Sequence, residues 1–173
     1  MKQFENVKLS LIISLLVILY GFALGCLFGA YENNIKNYLN SKAETVFETV
    51  YNGDLAIKEN IVAKGWEYFK LSHTHALGLG SISLILIVFF SFFSINSTLK
   101  YITSMMISLG ALGYTLYWTM AALKAPLIGN TELTKETLSY IAVPAAGLSL
   151  IGLLLLIIIV AYKFCVNSSK PLQ

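Results

Sequence analysis

Residues 71–95 read LSHTHALGLGSISLILIVFFSFFSI, with no Asp, Glu, Lys or Arg in the whole run. A helix needs about 20 consecutive apolar residues to cross the hydrocarbon of a bilayer, so this stretch is long enough to span. Its apolar residues are continuous rather than alternating, which argues against the shorter, two-faced strand of a membrane barrel. Outward from it, three more runs of the same kind cover about 9–31, 101–123 and 137–162. The chain of 173 residues is 57% hydrophobic and 12% charged, and its mean hydropathy is +0.72. A water-soluble domain of this size needs more polar surface. The sequence therefore predicts an all-α polytopic membrane protein, a single domain built as a four-transmembrane-helix bundle.

One sizeable segment lies between spans, at about 32–70. Ile35, Tyr38, Leu39, Ala43, Val46, Phe47, Val50 and Tyr51 recur at three and four, the period of an amphipathic helix. Asn52-Gly53-Asp54 breaks the pattern as a turn, and Leu55, Val62, Trp66, Phe69 and His73 then fall on a second helical stripe. The first and second helices are thus expected to run out of the membrane as a projecting antiparallel hairpin. One seam between two helices leaves other apolar residues uncovered, so the hairpin should bind other membrane subunits or a second copy of the chain. Residues 124–136 hold Pro126 and Gly129 and read as an irregular loop, with Thr134 as the N-cap of the fourth helix. Pro144 inside that helix frees a carbonyl that neighbours must satisfy.

Gly21, Gly25 and Gly29 stand at four-residue intervals in the first run, a small-residue face suited to close packing. That run also exceeds the length of a typical signal core, so it is read as a retained helix. Four crossings put both termini on one side. The termini and the turn at 96–100 carry five Lys, and the other side carries seven, so charge asymmetry decides little. The short Lys-flanked start resembles a signal-anchor, which favours cytoplasmic termini in the bacterial inner membrane.

All twelve basic residues are Lys, so the planar fork that reads phosphates and bases is missing, and a net charge of +3 is spread over several loops. Nucleic acid is excluded as a partner on these grounds; the lipid bilayer is the expected one. The sequence has no serine elbow, no His-Glu-x-x-His, no phosphate loop and no carboxylate pair inside a span, so an enzyme is not indicated. Asn96-Ser97-Thr98 and Asn167-Ser168-Ser169 match the glycosylation pattern, but the first hugs the bilayer.

The two histidines, His73 and His75, sit where the hairpin meets the second span, and ionisable side chains at membrane depth usually have a task. Residues two apart on a helix point about 200° away from each other, so two separate roles are the natural reading. Trp66, Phe69 and Gly80 share the stripe of His73, with aromatic residues above it and a small residue below, a place where a flat haem could lie on one imidazole. A transition metal on His73 and His75 would need further ligands, which the nearby residues supply thinly. Tyr114 and Tyr117, near the end of the third span on the same side, either anchor the helix or line a cofactor slot. Four spans with a His-x-His at the head of the second are similar, in general terms, to small membrane subunits and assembly factors of respiratory complexes. That resemblance implies a non-catalytic subunit of an electron-transfer or respiratory assembly, with haem or metal at the outer end of the second span. The alternative is a scaffolding membrane protein that binds partners through its hairpin and glycine face, with no cofactor.

Overall fold

The structure, a computed structural model, describes residues 2–168 and is all-α, with no strand among the described residues. Four helices are long and apolar enough to cross a membrane, and the chain is an integral membrane protein. In order they are α1 (Lys8–Glu44), a short α2 (Phe47–Val50), α3 (Leu55–Ser91), α4 (Ser97–Ile128), a short α5 (Thr131–Thr137) and α6 (Ser139–Ser168).

Helices α1 and α3 each run 37 residues, roughly 55 Å at 1.5 Å per residue and well beyond a bilayer core. Helix α1 is bent at Tyr31, where φ is −134° and ψ is 25°. That is the residue at which its continuous apolar run ends, so the bend separates a membrane part from an extramembrane part. The tip between α1 and α3 turns on Asn52 and Gly53, at φ 51° and 72°. Glycine has no Cβ to oppose that left-handed backbone, and asparagine tolerates it better than most residues. Asp54 then caps α3, accepting a hydrogen bond from the Ile57 amide at 3.0 Å.

The hairpin projects as expected, but it does not stand alone. Helix α4 continues through Pro126 to Ile128 and rises beside it, so a three-helix head replaces the expected irregular loop at 124–136. Pro126 has no N–H for the Ala122 carbonyl one turn back. That carbonyl lies against Gly65 of α3, where a Cβ would come within 3.2 Å of it, so a glycine permits the close approach. Gly129, at φ 71°, ends α4 with its N–H on the Ala125 carbonyl at 2.9 Å. The next cap is Asn130 rather than Thr134: it accepts from the amides of Glu132 and Leu133, both at 2.9 Å. Thr134 is buried inside α5 and donates to the Asn130 carbonyl at 2.6 Å.

The head has a core of Leu39, Ala43, Tyr51, Ile61, Tyr68 and the alanines of α4 around Ala122, with Phe47 packed against it. Tyr51 is buried and donates its hydroxyl to the Pro126 carbonyl at 2.7 Å, joining the hairpin tip to α4. Burial raises the Tyr51 pKa above its ordinary value, because the phenolate would lose its hydration there. Lys58 is likewise buried along its stem; it donates to Glu44 at 2.7 Å and lies over the Phe47 ring.

Within the membrane, α1, α3 and α4 pack on one another, while α6 packs along α4. Close approach rests on small residues. A Cβ on Gly80 would reach Ile18 at 2.9 Å, one on Gly21 would reach Leu77 at 2.8 Å, and one on Gly152 would reach Ile107 at 2.9 Å. Gly110 fits against Ala145 and Ser149 in the same way, but Gly29 meets nothing within 4 Å, so only two of the three spaced glycines of α1 serve the interface. Hydroxyls tie the three helices together at one level. Ser72 donates to the Thr115 carbonyl at 3.0 Å and lies 2.7 Å from the Thr119 hydroxyl, which is 2.6 Å from that of Tyr20.

Candidate functional site

The divergence expected of His73 and His75 is what the backbone produces, since α3 is regular through both. His73 faces α1. Its Nδ1 donates to the Gly21 carbonyl at 2.8 Å, so that nitrogen carries a proton. The ring lies over Gly25, where a Cβ would come within 2.8 Å of Cε1. The glycine face of α1 is therefore a socket for an imidazole.

Above this socket, Phe28 of α1 meets the His73 ring edge-on at 5.7 Å, the Trp66 ring at 4.9 Å and the Phe69 ring at 6.4 Å. Trp66, Phe69 and His73 do share a stripe, and its central partner is a residue that sequence reasoning missed. Phe28 could have been found as the position three beyond Gly25 on the same face. Gly80, about two turns below, is closed by Val17 and Ile18. The space beneath His73 is filled by α1.

His75 faces the other way. Its Nδ1 donates to the Leu71 carbonyl at 2.7 Å, one turn back in its own helix. The ring meets Tyr114 edge-on at 5.1 Å and stacks on Trp118 at 5.9 Å and 24°. Trp118, four residues beyond Tyr114 on α4, is a second partner that the sequence pattern did not single out. Its Nε1 is buried and has no hydrogen-bond partner among the described residues. Tyr117 is 5% exposed and belongs to the core with Tyr68; it touches Tyr114 and Trp118 but neither histidine.

Below His75, α6 stands off from α3 until both meet near Phe90 and Leu156. The gap is a cavity of about 300 Å³ lined by Leu79, Tyr114, Ala146, Ser149, Leu150 and Leu153. Tyr114 alone of the aromatic group lines it; His75 and Trp118 stand one turn further along α3 and α4 from Leu79 and Tyr114.

The two imidazoles thus open on different partners and do not converge on one ion. Among the described residues no three His, Cys, Asp or Glu side chains come together as a metal-binding group. Both imidazoles are partly buried. The chain matches no protein-family model, no curated protein and no solved structure.

Proposed function

We propose that the chain is a non-catalytic scaffolding subunit of a membrane assembly, docking its partner on the tip of the three-helix head. The observation that supports this most is apolar exposure far from the bilayer: Leu55 and Ile57 are 53% and 49% exposed, and Val50 and Leu127 stand out beside them. Exposed apolar groups cost nothing in lipid but lower solubility in water, and rigid elements that carry them commonly bind other proteins. The tip is rigid because Tyr51 fastens it to α4.

An electron-transfer or respiratory assembly is the setting favoured by one further observation, the imidazole of His75 edge-on against Tyr114, a residue that lines a lipid-facing cleft. In that setting a haem or metal on His75 would take its remaining ligands from a partner. The Lys-flanked start at Lys2 and Lys8 supports cytoplasmic termini; on that reading the head would face the outer side of a bacterial inner membrane.

The test is the mass of the native complex in mild detergent. The wild-type chain should travel well above its own 19.1 kDa plus the micelle. A Leu55→Lys, Ile57→Lys double variant should run as the lone chain with unchanged helicity. A wild-type protein that already runs alone when gently extracted from its own membrane contradicts the proposal.

A further inference from the structure

We propose that the end of the bundle opposite the head holds an anionic phospholipid, its phosphate on Lys163 and an acyl chain in the cleft beneath. This goes beyond the docking reading and does not depend on the tip, nor on which side of the membrane the termini face.

Polarity along the cleft points to an amphiphile. The start of α4 and the last turns of α6 enclose an opening of about 340 Å³, with Asn96, Tyr162 and Lys163 at its rim and Leu99, Ile158 and Ile159 further in. Ile158 and Ile159 lie one turn deeper in the span than Tyr162 and Lys163, so a polar rim stands over an apolar floor. A lipid at the membrane interface has the same gradient. A second opening of about 350 Å³, lined by Phe92, Phe93, Ser94 and Phe164, shares Lys163 with the first. The Phe93 and Phe164 rings meet edge-on at 6.1 Å there, which holds the end of α6 against that of α3.

The rim is rich in donors. Lys163 is partly buried and makes no ion pair among the described residues. Asn96 uses its side-chain oxygen to accept from the Thr98 and Leu99 amides at 2.9 and 3.2 Å, a cap that leaves its own side-chain N–H groups to donate. Lys100 adds a fixed positive charge, buried and bonded at 2.9 Å to the carbonyl of Ser91, the residue before Phe92. A phosphodiester matches this set, its charge against the Lys163 ammonium and an oxygen against the Asn96 amide.

Charge then selects among phospholipids. Among the described residues, Lys2, Lys8, Lys100 and Lys163 stand at this end with one acid, Glu5, whereas the head end carries seven Lys and eight acids. The field at this end is therefore positive. It attracts a head of net negative charge and repels the ammonium of a zwitterionic one, over a reach of about 10 Å at 0.1 M salt. A neutral lipid gains nothing from it.

The test is native mass spectrometry of the full chain in a mild neutral detergent with an equimolar mixture of phosphatidylglycerol and phosphatidylcholine of the same acyl chains. Wild type should retain phosphatidylglycerol over phosphatidylcholine by at least about fivefold, the scale of one lysine near an anionic head. Lys163→Gln should remove the preference, Lys163→Arg should keep it, and Lys135→Gln at the head should leave it unchanged. Equal retention of the two lipids by wild type assigns the cleft to any phospholipid and overturns the proposal. So does a preference that survives Lys163→Gln, which would be diffuse attraction to the whole end. Lipid is counted per chain whatever the mass of the complex, so the docking proposal stands or falls separately.

Discussion

His73 and His75 are two residues apart on one helix, yet one bonds across to a neighbouring helix and the other bonds within its own. The difference comes from the neighbours that α3 meets on its two sides. Toward α1 it meets glycines, whose missing side chains let an imidazole reach a backbone carbonyl at 2.8 Å. Toward α6 it meets a helix that stands off, so the imidazole is satisfied within its own turn of α3. A histidine at membrane depth is informative only once its partner is known.

The largest effect that would break this comparison is overpacking on the closed side. Gly80→Leu should destabilise the protein by about 3 kcal/mol, since Ile18 and Val17 occupy the space and the Ile18 backbone cannot yield. Gly78→Leu, on an open part of the same helix, should cost nothing or stabilise slightly, because leucine is the better helix former. Thermal unfolding of both variants in one detergent checks the contrast.

Next in size is the hydroxyl tie between α3 and α4. Ser72→Ala removes its hydrogen bond to the Thr115 carbonyl and its contact with Thr119, and should cost about 1 kcal/mol in the same assay. A matched change at the cleft, Ala146→Leu, should shift stability by less than about 0.5 kcal/mol, because the added methyl groups enter existing space.

An effect of similar size to that of Ser72→Ala concerns the head. Tyr51 has a raised pKa, so the folded state holds its proton more tightly than the unfolded chain. Its contribution is fully present below the ordinary tyrosine value of about 10 and is lost as pH rises above it. Wild-type stability should fall more steeply above pH 10 than that of Tyr51→Phe, which should itself be about 1 kcal/mol less stable at neutral pH through loss of the Pro126 bond. Parallel pH curves would show that the phenol does not titrate with unfolding.

Much of the architecture was legible because lipid imposes a simple demand: a long apolar run must be a helix, and such runs ended where α1 bends at Tyr31. The tip at Asn52-Gly53 was legible from turn chemistry, and the divergence of the histidines from helical geometry alone. The course of α4 past Pro126 was not, because a proline reads as a stop unless Gly65 is known to stand opposite the freed carbonyl. Phe28 and Trp118 were passed over for a related reason. Nothing in an apolar run says which helix lies beside which, and α6 leaning on α4 rather than α3 is what opens the cleft.

The most direct test of the account is a paired measurement, the unfolding free energies of His73→Ala and His75→Ala in one detergent. Loss of the imidazole between α1 and α3 should cost about 2 kcal/mol, the sum of an emptied contact and a bond across helices. Loss of His75 should cost less than half as much, since its bond lies within α3. Equal losses, or a larger one for His75, would contradict the division of labour between the two faces of α3.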